Sequence, residues 1–261
     1  DTVTYAAAAT AVTVNLALTT AQDTLGAGID TLATFENLTG SGFNDVLTGT
    51  TGANTIDGGA GDDVIDSGAG ATIADTLIGG IGTDTLLYTS ATAGVTMNLS
   101  LTTAQTTGGA GSDTISGFEN LTGSGFNDVL TGTTGANTID GAGGNDSIQG
   151  GAGDDILIGN AGTDTVTYAA AATAVTVNLA LTTAQDTLGA GIDTLATFEN
   201  LTGSGFNDTL TGDTGSNSID GGAGNDTIQG GDGNDTLIGN AGTDTVTYAA
   251  AATAVTVNLA L

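Results

Sequence analysis

Twenty-nine Asp and Glu residues, with no Lys, Arg or His, give this 261-residue chain a formal net charge of −29. The Asp residues fall in a register. Asp208, Asp226 and Asp244 stand 18 residues apart, with Asn217 and Asp235 midway between them, and Asp128, Asp146 and Asp164 repeat the pattern with Asn137 and Asp155 between. Asp45, Asp63, Asp75 and Asp84 follow it with one irregularity, and Asp30, Asp113 and Asp193 hold the matching position in looser segments. If positions 18 apart lie one above another, like charges meet at about 5 Å and must take up protons or bind an external cation. Calcium suits such a column because it accepts roughly six to eight oxygens in flexible geometry, from carboxylates and backbone carbonyls, whereas magnesium demands stricter octahedral geometry.

The same inventory excludes much other chemistry. Without Lys or Arg there is no basic surface for nucleic acid or anionic lipid. Without Cys or His there is no zinc, iron-sulfur or haem site, no disulfide and no nucleophile-base pair of those types. No apolar run is long enough for a membrane span and no signal peptide is visible. Yet 39% of the residues are apolar, which is too many for a disordered chain and enough for a core.

The Asp register belongs to a nine-residue unit. From Gly203 it reads GSGFNDTLT, GDTGSNSID, GGAGNDTIQ, GGDGNDTLI and GNAGTDTVT, and five such units also run from Gly123 and from Gly40. Each unit ends in three residues with a large apolar one in the middle, such as Leu210, Ile219, Ile228, Leu237 and Val246, which is the pattern of a minimal strand with one side chain facing inward. The Gly-rich residues before it are turn. Two units make one coil of about 18 residues, and coils stacked at roughly 4.8 Å put equivalent positions in columns. Helix is excluded even at Ala169–Ala172, a short run that leads into β-favouring Val175–Leu179.

A longer period encloses the short one. Asp1–Tyr5 recurs at Asp84, Asp164 and Asp244, and residues 1–45 are identical to residues 164–208. This divides the chain into copies 1–83, 84–163, 164–243 and the start of a fourth, 244–261, with a three-residue insertion near 67–75 in the first. One continuous solenoid of roughly 13 coils, on the order of 60 Å long, is expected, cut as a window from a longer array.

Gly221–Gln229, Gly58–Asp66, Gly150–Ile158 and Gly230–Ile238 match Gly-Gly-x-Gly-x-Asp-x-U-x, with U large and apolar. That motif resembles the RTX, or haemolysin-type, calcium-binding repeat. The resemblance implies an all-β parallel β-roll, or β-helix solenoid, with several Ca2+ ions between stacked turns and the sixth-position Asp as side-chain ligand. It marks Asp30, Asp45, Asp63, Asp75, Asp84, Asp113, Asp128, Asp146, Asp155, Asp164, Asp193, Asp208, Asp226, Asp235 and Asp244 as metal ligands. It also implies secretion, by the type I route of Gram-negative bacteria, to the extracellular space or cell surface.

Other residues receive blander readings. Asn54, Asn137 and Asn217 cap turns or coordinate weakly, and Asp57, Asp140 and Asp220, at the ninth position, face solvent. Glu36, Glu119 and Glu199 are surface or turn residues, and Phe43, Phe126 and Phe206 are wedges closing the wider end of a coil. No catalytic constellation is present, so a non-enzymatic rod is expected: the stalk of an adhesin, the body of a surface layer or a filament that self-associates end to end. The alternatives are the carrier region of a secreted enzyme or toxin and, ranked below it, an ice- or surface-binding array. The expected partners are calcium ions and other copies of the chain, with no nucleic acid and no membrane insertion.

Overall fold

A computed structural model describes residues 1–68 and 73–257. All regular structure among these residues is strand or turn, and most strands are three residues long. The centre of the insertion, 69–72, and the last four residues of the fourth copy lie outside the described residues.

Parallel strands form four stacked sheets. The first contains Thr2–Thr4, Asn37–Thr39, Thr55–Ala60, Thr76–Ile81 and Gly111–Ser116. The second runs from Thr13–Asn15 through Val46–Thr48, Val64–Asp66, Thr85–Leu87, Asn120–Thr122, Thr138–Asp140 and Ile156–Ile158 to Ile192–Ala196. The third runs from Thr96–Asn98 through Val129–Thr131, Ser147–Gln149, Thr165–Thr167, Asn200–Thr202 and Ser218–Asp220 to Thr236–Ile238. The fourth holds Thr176–Asn178, Thr209–Thr211, Thr227–Gln229 and Thr245–Val246.

Within each nine-residue array the chain shuttles between two sheets, so strands pair at steps of 18, as Leu130 with Ile148, or 21 across the insertion, as Ile56 with Leu77. Between arrays one coil visits three sheets. Thr85–Leu87 in the second is followed by Thr96–Asn98, which starts the third, then by Gly111–Ser116, the last parallel strand of the first, before the chain returns to the second at Asn120–Thr122. These junction coils make the longer steps of 33, 35 and 38 residues between paired strands, as Thr96 with Val129, Thr85 with Asn120 and Ile156 with Thr194. Each junction also carries a short antiparallel hairpin: Gln22–Asp23 with Ile29–Asp30, Gln105–Gly108 with Gly111–Ser116, and Gln185–Asp186 with Ile192–Ala196.

The stack is shorter than the 13 coils expected from the nine-residue period. The second sheet contributes eight parallel levels and the third carries the stack two levels further, giving ten levels among the described residues, or about 43 Å at ~4.8 Å per step. Each junction coil takes roughly two coils' worth of sequence for a single level, which accounts for the difference.

The middle residue of each strand is the core residue, as the pattern predicted. Leu47, Ile56, Ile65, Leu130, Ile139, Ile148, Leu210 and Ile219 are fully buried in one continuous cluster. Each such side chain contributes about 1.5–3 kcal/mol relative to exposure. The turn before each strand depends on glycine where coils touch: at Gly144 (φ 117°) a side chain would strike the carbonyl of Phe126 in the coil before it. Phe126 therefore meets the next coil through its backbone and turns its ring outward. Phe43, Phe126 and Phe206 are 44%, 47% and 46% exposed.

Candidate metal centres

The sixth-position Asp residues lie in columns, as their spacing required, but they point into the turn and are buried. In the second array the backbone N–H of Asp128 donates to Asp146 Oδ1 at 2.9 Å, and the N–H of Asp146 donates to Asp164 Oδ1 at 2.8 Å. Asp45, Asp63 and Asp84 are joined in the same way at 2.8 Å, and Asp208, Asp226 and Asp244 at 2.9 and 3.0 Å. On the opposite edge Asn54 N–H donates to Asp75 Oδ1, Asn137 N–H to Asp155 and Asn217 N–H to Asp235. Asp75 and Asp155 in turn donate to Asp113 and Asp193 of the following junction, at 3.0 and 3.1 Å.

One carboxylate oxygen is therefore used by the coil before. The other is not: Oδ2 of Asp63, Asp75, Asp84, Asp146, Asp155, Asp164 and Asp226 is buried with no hydrogen-bond partner. The first glycine of the unit keeps the space beside that atom clear. A Cβ at Gly141 would lie beside Asp146 Oδ2 and 3.0 Å from the Gly159 carbonyl oxygen, and one at Gly58 would fall between Asp63 Oδ2 and the Gly79 carbonyl oxygen. An orphaned buried carboxylate oxygen beside a carbonyl oxygen, in a cradle that a methyl group would fill, fits a hard oxygen-seeking cation such as calcium. No three acidic side chains converge among the described residues, so the further oxygens would come from backbone carbonyls of the turns.

Burial raises the pKa of these groups because the charged form loses water, and neighbouring carboxylates add to it. Asp63 is pushed up to about 6, and Asp75, Asp146 and Asp155 to about 7, against the relief given by the backbone N–H each accepts. Asp84, Asp164 and Asp226 are raised for the same leading reason.

The remaining predicted ligands sit differently. Asp45, Asp128 and Asp208 open each array and are saturated by protein donors. Their Oδ2 accepts from the N–H of Ser41, Ser124 and Ser204, while Oδ1 accepts from the N–H of Val12, Val95 and Val175 and from the same serine hydroxyls. Asp30, Asp113 and Asp193 are closed by tyrosines: Tyr5, Tyr88 and Tyr168 donate to their Oδ2 at 2.9, 3.1 and 3.0 Å. Thr24 and Thr187 hydroxyls reach the same oxygen in Asp30 and Asp193. Asp235 and Asp244 are half-buried in the last coils.

Two glutamates belong to the columns although their surroundings in sequence suggested surface turns. Glu119 Oε2 accepts from Asp84 N–H and Glu199 Oε2 from Asp164 N–H, both at 2.8 Å, continuing the ladder into the junction. The signal for them was a constant offset: Glu follows the column Asp by 35 residues in every copy, just as Asp follows Tyr by 25. The asparagines are turn caps. Asn137 Nδ2 donates to the Glu119 carbonyl and its Oδ1 accepts from Thr133 N–H, with the same arrangement at Asn54 and Asn217. The ninth-position residues Asp57, Asp140 and Asp220 are half-buried; Asp140 and Asp220 accept from Ala142 and Gly222 N–H in the following turn.

The family model for the RTX calcium-binding nonapeptide repeat matches residues 39–73, 74–88, 107–120, 122–148, 131–166, 202–237 and 220–250. Together these segments cover more than half of the 261 residues and leave most of each junction outside. No curated protein matches the chain.

Proposed function

This chain belongs to the RTX calcium-binding nonapeptide repeat family, and on that premise we propose that it is a calcium-stabilised structural rod, part of an extracellular stalk, surface layer or filament. The observation that carries the calcium reading is the set of buried Asp Oδ2 atoms without partners, repeated level after level. Asp63, Asp75, Asp84, Asp146, Asp155, Asp164 and Asp226 would hold the ions together with turn carbonyls, and Asp235 and Asp244 would do so once a further coil covers them. Bound calcium supplies the positive charge that no side chain here can supply.

The rod reading rests on sheets that continue from one array into the next: the second runs from copy one through copy two to Ile192–Ala196 of copy three, and the third from copy two into copy three. Lengthening such a protein needs only more copies. Secretion to a calcium-rich exterior fits both the family and a core that is incomplete without cations. Because calcium binds only the stacked state, its binding free energy adds to folding, and its absence leaves 29 acidic side chains to repel one another. End-to-end association of copies belongs to the same reading. The carrier region of a secreted enzyme or toxin is the second reading, favoured by the family membership itself.

Far-UV circular dichroism with and without a chelator, combined with calcium stoichiometry, tests the calcium reading. A large fall in the β signal on chelation, as the arrays lose order, and uptake of several ions per chain are expected; an unchanged spectrum contradicts it.

A further inference from the structure

Where the third sheet begins, the outward third residues of its strands form a ladder: Asn98 pairs with Thr131, and Thr131 with Gln149, one level apart. This ladder floors a groove of about 310 Å3, with Ser100 at one end and the turn Ala170–Ala172 at the other. One copy later, where the fourth sheet begins, Asn178, Thr211 and Gln229 form the same ladder beside Ala250 and Ala251 in a groove of about 270 Å3. Both grooves are products of the junctions. A new sheet's first strand supplies one end of the floor, and the turn of the next junction supplies the opposite wall.

The chemistry narrows the ligand. None of the residues lining the first groove is charged, in a chain with 29 acidic residues. Its polar groups are hydroxyls and carboxamides, and the Ala170–Ala172 wall offers methyl groups. The second groove adds Asp213 and Asp232 where the first has Thr133 and Ala152. Asp213 keeps the turn contact made by Thr133, accepting from Gly215 N–H as Thr133 Oγ1 accepts from Gly135 N–H, so the groove gains acceptors while its turn is kept.

An anionic ligand finds no cationic side chain in either groove; a wholly apolar one leaves the Thr131 hydroxyl and Gln149 carboxamide of the floor unpartnered, while Asn98 Oδ1 already accepts from Ser100 N–H. A polyhydroxylated neutral ligand satisfies the ladder with its hydroxyls and the alanine wall with its C–H faces. The floor from Asn98 to Gln149 extends about 10 Å at ~4.8 Å per level, which suits a short oligosaccharide. We propose that these two grooves are binding sites for neutral oligosaccharides. This rests on the grooves and not on the rod reading.

The test is NMR titration of the calcium-loaded chain with maltotriose, mannotriose and N-acetylchitotriose, and with an acidic oligogalacturonate for contrast. Saturable shifts at Thr131 and Gln149 and at Thr211 and Gln229 are expected with at least one neutral sugar and not with the acidic one. Gln149→Ala should weaken binding about tenfold at the first groove while leaving the second unchanged. Thr131→Val, which removes only a hydroxyl, should act in the same direction. Calcium uptake and the β signal of each variant serve as the folding control. Absence of saturable shifts with all three neutral sugars, equal binding of the acidic one, or insensitivity to both substitutions overturns the proposal.

Discussion

The array from Gly123 to Thr167 and the junction that follows it, 168–202, use the same kind of residue in opposite ways. In the array, Asp146, Asp155 and Asp164 each accept one backbone N–H and leave Oδ2 buried and unpartnered. In the junction, Asp193 accepts a backbone N–H at Oδ1 and the hydroxyls of Tyr168 and Thr187 at Oδ2. Gln185 adds a two-way clamp, accepting from Asn178 N–H at 2.8 Å and donating to the Asn178 carbonyl at 3.1 Å. A buried sixth-position Asp is thus left with a free oxygen that suits an external cation when only its own coil column reaches it, and is an internal acceptor when a hydroxyl closes its second oxygen. On the calcium reading proposed above, the arrays depend on the ion while the junctions complete themselves.

The largest expected effect separates the two by sign. Asp146→Asn should stabilise the calcium-free chain, because it removes an orphaned buried carboxylate, and destabilise the calcium-loaded chain by about 3 kcal/mol. Asp193→Asn should destabilise both, since it replaces the oxygen that Tyr168 and Thr187 share. Thermal melts of each variant with calcium and with chelator measure this, and the same sign at both positions breaks the distinction.

Acid should replace calcium in the arrays. Asp75, Asp146 and Asp155 have pKa values of about 7 in the fold, above the ordinary carboxylate value, so the folded state binds protons more tightly than the unfolded one. Their contribution to calcium-free stability is fully present below about pH 4 and is lost as pH rises towards about 7. The calcium-loaded chain should run the other way, losing ions as pH falls through that window. Circular dichroism against pH in chelator should show β structure gained on acidification; a signal lost on acidification contradicts this.

A smaller effect is expected at Tyr168→Phe, which removes a buried donor to Asp193. It should cost about 1–3 kcal/mol in calcium and leave the number of bound ions unchanged. A fall in calcium stoichiometry would place Asp193 among the array sites. The smallest is Leu188→Gly in the hairpin, where Leu188 adopts φ 61° with its side chain exposed and the second copy has Gly108 at φ 71°. Relief of the left-handed strain should add about 1 kcal/mol, read as a rise in melting temperature.

The arrays were legible because their period fixes both strand and column: one apolar residue in nine and one Asp in nine leave little freedom once coils stack. Ile139, Ile148 and Leu157 took the buried positions that this arithmetic assigned. The junctions were less so. That Thr96–Asn98 starts a sheet while Gly111–Ser116 ends another depends on which strand lies below, and steps of 33, 35 and 38 residues have no counterpart in a nine-residue template. The Asp30, Asp113 and Asp193 positions matched the motif, but a tyrosine 25 residues earlier decides their role.

The central claim is that calcium holds the arrays and not the junctions, and residue-resolved hydrogen exchange before and after chelation tests it most directly. The amides of Asp128, Asn137 and Asp146, which donate to the array carboxylates, should lose protection by about a hundredfold or more. Those of Asn178 and Thr187, held by the Gln185 side chain and the Gly191 carbonyl, should change by less than about tenfold. Equal loss of protection in both regions would contradict it.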